Sequence, residues 1–246
     1  MSNTQSDSEL NQSCKHLLSE FAPKELELYS SKWNVENVIP DDIKSQITSI
    51  SSENSNSQLR FVLAFLNIVS LLKQQKRTGW LNFGIDDCES ISDHMYRMAI
   101  ISKLLKTNFL NSKCVEISIV HDLAESLVGD LTPSDPISKK EKHYRELSTI
   151  IYLTEKLIKP YHEKASVEFL NLWLEYENQS SIEGKIVKSI DKFEMIIQAF
   201  EYEKRYKGKL NLEQFFTAIN AIQVEEVRDM ADELIKERNE FWLAYK

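Results

Sequence analysis

The sequence predicts an all-α domain behind a partly disordered N-terminal extension, and three observations carry that prediction. Only 5 glycines and 5 prolines occur among 246 residues, which disfavours a turn-rich β fold and leaves room for long helices. Downstream of residue 58, apolar side chains recur at the three- and four-residue steps that line one face of a helix. Upstream, polar runs rich in Ser, Asn and Gln flank a short segment with apolar residues.

In chain order, residues 1 to about 13 are expected to be disordered. Residues from about 14 to 48 contain apolar residues and Trp33, but Pro23 and Pro40 interrupt them. An irregular or short-helix extension, able to dock on the main domain, is expected there. The polar stretch Ser49–Gln58 reads as a linker, which sets an extension over 1–58 and a main domain over 59–246. The first helix of that domain carries Leu59, Val62, Phe65, Leu66, Val69 and Leu72 at helical spacing, and a second begins near Ser92. A third starts near Asn111 and runs to Gly129, a position suited to a left-handed cap. After the loop DLTPSDPIS, helices are expected over about 139–158, 163–177, 181–207 and 222–244, with Ser180 and Glu183 at capping-box spacing.

Bulk properties narrow the function. A net charge of -8 excludes a broad nucleic-acid surface, though one pocket that concentrates metal and arginine charge can still take an anionic nucleotide. Cys14, Cys88 and Cys114 are scattered without CxxC spacing, so reduced thiols in an intracellular, cytoplasmic or nuclear protein are expected. The start MSNTQSDSEL shows no targeting pattern, and the apolar run Phe61–Leu72 is too short to span a membrane.

The string His121-Asp122-Leu123-Ala124-Glu125-Ser126-Leu127-Val128-Gly129-Asp130 is the chemical centre of the sequence. On a continuous helix His121 and Glu125 share a face, with Asp122 beside them about 100° round the axis. The apolar residues around them imply burial, and a bound ion is one way to offset the desolvation of three ionisable groups. A solvated polar strip on an ordinary core helix is the alternative. His94 opens the preceding helix, and Asp191 lies in the apolar run Ile186–Phe193. Three helices could therefore bring His, His-Asp and Asp together.

These residues follow the H…HD…D pattern of the HD-domain phosphohydrolases. With the segments KRTGW, ESISDHMYRMA, VHDLAESLVGDLTPSD, KKEKHYRE and LWLEYENQSSIEGKIVKSIDKFEMIIQAFEYE, the chain resembles the HD domain-containing protein 2 family and, more distantly, the bacterial YfbR-like 5'-deoxynucleotidases. The resemblance spans roughly Leu59 to Ala221. It implies an HD-domain helical bundle and a metal-dependent 5'-nucleotidase that hydrolyses (deoxy)nucleoside 5'-monophosphates, forms a homodimer, and uses neither a membrane nor a nucleic-acid polymer.

By the same resemblance the metal ligands are His94, His121, Asp122 and Asp191, with Glu125 and Asp130 at the catalytic centre or on a second ion. Their roles in activating water and protonating the leaving oxygen are not separated by the sequence. Two imidazoles and two carboxylates form a borderline N/O set that suits Mn, Fe, Co or Zn, with Mg less well matched, and the expected cofactor is a divalent ion, Mn, Co or Mg, with Fe or Zn also compatible. Arg77 matches the phosphate-binding arginine, since a guanidinium can hold phosphate oxygens bidentately. Trp80 departs from the bacterial pattern, in which the tryptophan directly follows the arginine, so substrate contact and core packing stay open for it. His143 is expected at the surface or pocket rim among Lys139, Lys140, Lys142 and Arg145, and His16, His162 and the cysteines match no part of the pattern. Two rival functions remain: a nucleotide phosphodiesterase or triphosphohydrolase on the same ligands, and a catalytically silent metal-binding interaction module.

Overall fold

The computed structural model describes residues 15–50, 57–106 and 111–245. The disorder expected over residues 1 to about 13, and most of the polar linker, lie outside these. The described chain is all helical apart from a single isolated bridge between Lys76 and Ser90. The N-terminal segment supplies α1 (Lys15–Leu18), α2 (Pro23–Lys32), α3 (Val35–Val38) and α4 (Asp41–Thr48). Next come α5 (Ser57–Ser70), α6 (Thr78–Leu81), α7 (Ile91–Leu104), α8 (Asn111–Ser118) and α9 (Glu125–Val128). The chain closes with α10 (Lys139–Tyr152), α11 (Glu163–Asn178), α12 (Ile182–Arg205), α13 (Glu213–Phe216) and α14 (Glu225–Leu243). Among the described residues no helix is long and apolar enough to cross a membrane.

Two compact units result, one from 1–91 with 122–171 and the other from 92–121 with 172–246. In unit 1, α5 turns Ala64, Phe65, Ile68 and, one turn on, Leu72 into the core, where Phe65 meets Phe169 edge-on at 6.0 Å. The sequence places prolines 23 and 40 as interruptions, but in the structure they start helices. Pro23 is the first residue of α2 and Pro40 is the cap of α4, positions where the missing N–H has no intrahelical partner to lose. α2 and the residue chain before it dock on α10: Phe21 and Tyr29 pack against Tyr144, and Lys140 reaches Glu25 at 2.7 Å. α10 itself is capped by Ser138, whose hydroxyl accepts from the Glu141 N–H at 3.1 Å, and it runs on into a π-turn over Leu153–Ile158.

Unit 2 is organised round α12, whose Ile186, Val187, Ile190, Ile196 and Phe200 are buried. Its cap is Ser181, accepting from the Gly184 N–H at 3.0 Å, one residue beyond the expected Ser180. Gly184 has to be small, because a Cβ there would lie 2.3 Å from the Glu175 carbonyl oxygen at the end of α11. The far end of α12 is tied to α14 by Arg238, which spans Glu203 on α12 and Glu213 on α13.

The expected helix from Asn111 to Gly129 is not continuous. α8 stops at Ser118, and α9 resumes only at Glu125. His121 Nδ1 lies 2.9 Å from the Ser118 carbonyl oxygen, which a continuing helix would use as a ladder acceptor. In the turns that follow, Glu125 and Ser126 bond back three residues rather than four, to Asp122 and Leu123. His121 and Asp122 therefore sit on a tightened turn, and the simple one-face relation of His121 to Glu125 does not hold.

Candidate active site

Unit 2 carries the two imidazoles. His94, in the first turn of α7, is fully buried; its Nδ1 faces the Glu194 carboxylate and its Nε2 lies 3.4 Å from Asp191 Oδ1. A carbonyl oxygen only accepts, so the contact to Ser118 puts the proton of neutral His121 on Nδ1 and the lone pair on Nε2. The two rings stand 5.6 Å apart at 63°, and each offers a ring nitrogen within 4.8 Å of the other's. Tyr176 packs beside His121 with centroids 4.7 Å apart and donates its hydroxyl to Asp191 Oδ2 at 3.2 Å. Burial pushes the Asp191 carboxyl up, but Lys192, His94 and Lys188 outweigh it and hold it well below the usual carboxylate range. Asp191 is thus a carboxylate oxygen donor beside His94 Nε2.

Unit 1 carries the other half. Gly129 ends α9 at φ 84° and ψ 164°. The positive φ expected for a cap is present, but the extended ψ is a region open essentially to glycine alone. That turn brings Asp130 onto Arg77 and the start of α6: Asp130 Oδ2 accepts from the Thr78 N–H at 2.6 Å, and Oδ1 from Arg77 at 3.2 Å. The same guanidinium nitrogen lies 3.7 Å from Asp122 Oδ2. Glu125 is buried; Lys142 of α10 approaches its Oε1 at 3.9 Å, and its Oε2 has no hydrogen-bond partner among the described residues. Burial, then Asp122 and Asp130, raise the Glu125 carboxyl well above the usual range against the pull of Arg77 and Lys142.

A buried carboxylate oxygen without a protein donor costs free energy unless a water, an ion or a substrate group supplies the partner. In unit 2 the two imidazoles of like tautomer and the Asp191 carboxylate are the mixed N/O donors that suit a divalent ion.

The remaining candidates separate clearly. Trp80 is buried in unit 1 and donates its indole N–H to Glu89 Oε1 at 2.9 Å, a placement that favours packing over substrate contact. His143 stacks on Phe21 and reaches Glu20 at 3.0 Å, where the N-terminal segment docks. Cys88 and Cys114 are free and buried, and burial pushes both thiols up, Cys114 to about 11. Sequence reasoning missed Glu194, Arg97 and Tyr176. Two of these were signalled by spacing, since Arg97 follows His94, and Glu194 follows Asp191, by the three residues that share a helix face.

The model of the HD domain matches residues 69–231. The chain belongs to the HD-domain family. Two Saccharomyces cerevisiae proteins similar to this HD-domain protein are the 5'-deoxynucleotidase YBR242W, 48% identical over 214 residues, and the 5'-deoxynucleotidase YGK1, 50% identical over 215 residues. Each alignment covers 87% of this chain, with 87% of the first relative and 97% of the second. The human 5'-deoxynucleotidase HDDC2 is 40% identical over 196 residues, 78% of this chain and 94% of its own. Among solved structures, that of the HD domain-containing protein YGK1 superposes with a TM-score of 0.66 at 41% identity, covering 85% of this chain and 98% of that one. This HD-domain protein has a divalent-metal-binding site in its His/Asp cluster, built on His94, His121 and the adjoining Asp122.

Proposed function

We propose that the chain is a metal-dependent 5'-deoxynucleotidase that hydrolyses deoxynucleoside 5'-monophosphates to nucleoside and phosphate. The observation that carries the reading is the pair of imidazoles whose Nδ1 atoms are engaged by Glu194 and by the Ser118 carbonyl, in a chain similar to proteins of that activity. His94, His121, Asp122 and Asp191 hold the ion, Mn, Co or Mg, with Fe or Zn accepted by the same donors. When bound, the ion polarises the phosphoryl group and lowers the pKa of water beside it.

The protein's own groups do the rest. Arg77 anchors the phosphate oxygens, and Asp130, held by the Thr78 N–H, fixes the guanidinium in place. Glu125 takes the proton from the attacking water through its buried carboxylate and returns one to the leaving sugar oxygen as the P–O bond breaks. A structural metal site has no use for these three residues, which disfavours a silent interaction module. An intracellular homodimer completes the proposal, on the resemblance and the unpaired cysteines.

Arg77→Ala is expected to raise KM for dAMP by roughly tenfold or more, with a smaller change in kcat, because its phosphate contact exists before the transition state. Steady-state kinetics check this, and an unchanged KM would remove Arg77 from the phosphate site.

Substrate size follows from where the basic cluster of α10 is used. Lys140 is engaged by Glu25 and Arg145 by Glu141, while Lys142 is the member that approaches Glu125. A triphosphate would bring more charge than Arg77, Lys142 and one ion can offset, and an unpaired charge in a desolvated site costs several kcal/mol. We expect dAMP to be preferred to dATP by roughly a hundredfold or more in kcat/KM, since ~1.4 kcal/mol is a factor of ten. The test is kinetics on deoxy- and ribonucleoside mono-, di- and triphosphates with Mn, Co, Mg and Zn at matched free metal. Equal efficiency on dATP, or release of tripolyphosphate, would replace this reading with a triphosphohydrolase.

A further inference from the structure

Glu194 is fully buried on α12, one helical turn beyond Asp191, and nothing in the reaction described above uses it. Its Oε2 faces His94 Nδ1, and its Oε1 accepts from Arg97 Nε at 2.7 Å. Arg97 lies one turn beyond His94 on α7 and also binds Gln198 and, at 2.9 Å, Glu201, each a further step along α12. All of these residues belong to unit 2.

A buried ion pair of this kind is weak support for stability, because desolvating both charges offsets most of their attraction. Its geometry has a different consequence. A carboxylate hydrogen-bonded to Nδ1 puts the imidazole proton there, leaves the lone pair on Nε2, and makes that nitrogen a stronger donor. Nε2 is the atom 3.4 Å from Asp191 Oδ1, on the side where the ion is held. His121 is oriented by a neutral carbonyl, so the two imidazoles are backed differently.

We propose that Glu194, held by Arg97, is a positioning residue that sets the tautomer, orientation and donor strength of His94 and thereby the metal affinity of the site. The proposal rests on the reading of His94 as a ligand. On this proposal Glu194 acts through the imidazole and is not itself a ligand. Arg97 fixes the carboxylate so that the His94 contact is made before metal arrives.

The experiment is Co(II) titration of the metal-free protein, followed by visible absorption and by competition with a chelator, in wild type, Glu194→Gln, Glu194→Asp, Arg97→Lys and His94→Ala. Glu194→Gln is expected to weaken Co(II) binding by about 10- to 100-fold and to alter the ligand-field bands of the bound ion. Arg97→Lys should lose less, and Glu194→Asp should recover part of the affinity. In the His94→Ala background, Glu194→Gln should cost nothing further, because the effect travels through that ring. Thermal unfolding of each metal-free variant separates folding from binding, and Glu194→Asp and Arg97→Lys carry the test if Glu194→Gln does not fold. Glu194→Gln affinity within threefold of wild type, or an equal loss with and without His94, overturns the proposal alone. Wild-type protein that binds Co(II) no more tightly than His94→Ala overturns the ligand assignment and the proposal together.

Discussion

His121→Ala and Asp122→Ala proteins are expected to carry no tight divalent ion and to show no measurable turnover of dAMP. His121 is buried with its Nδ1 proton committed to the Ser118 carbonyl, so its Nε2 is pre-set as a lone pair. Asp122 is its chain neighbour and also faces Arg77 at 3.7 Å, so its loss removes an oxygen donor and leaves the guanidinium with one carboxylate fewer. Each ligand of a mixed N/O site must be present and deprotonated for the ion to bind. Elemental analysis of the purified variants, paired with dAMP hydrolysis at saturating metal, checks the prediction. Wild-type occupancy in both would remove the ion from the HD dipeptide and the mechanism with it.

Glu125→Ala is expected to keep its ion and to lose roughly a hundredfold or more in kcat, the usual contribution of a positioned acid-base group. That loss corresponds to about 2.7 kcal/mol of transition-state stabilisation at ~1.36 kcal/mol per factor of ten. The expectation is large because Glu125 is nearly inaccessible, its Oε2 has no hydrogen-bond partner among the described residues, and burial raises its carboxyl above the usual carboxylate range. Glu125→Gln keeps the shape and removes the proton chemistry, so it should fall as far in kcat while KM changes little. Single-turnover measurement with metal content recorded in parallel decides between the roles. Normal turnover in Glu125→Gln would mean that the carboxylate is structural.

Much of the fold was legible because the helices of this chain are long, apolar on one face and rarely interrupted. Helices α5, α7, α11 and α14 lie where periodicity put them, and the HD-domain relationship could be read from KRTGW, SDHMYRM and HDLAESLVGD in order. What periodicity could not show was the break after Ser118. It arises when a side chain, His121 Nδ1, takes the carbonyl that the helix would have used, and hydrophobic spacing is blind to that competition. The prolines at 23 and 40 were read as breakers because the sequence alone did not reveal that each stands at a helix start. Asp191 was legible as an acid in an apolar helix, whereas Glu194 was hidden among ordinary charged residues until Arg97 and His94 were seen to converge on it. The burial of Trp80 likewise depended on a partner, Glu89, that no motif marks.

On the proposed assignment, with Asp122 holding the ion and Arg77 the phosphate, the position of Arg77 between Asp122 and Asp130 couples two binding events. Asp122 can commit its charge to the guanidinium or to an ion, and committing it to the ion weakens its hold on Arg77. The arginine is then electrostatically less satisfied and attracts a phosphate dianion more strongly. Thermodynamic linkage makes the effect reciprocal, so a nucleotide that draws Arg77 away from Asp122 tightens the ion by the same factor. Assembly of the site is therefore cooperative, and ion and phosphate each hold the other in place through one shared carboxylate.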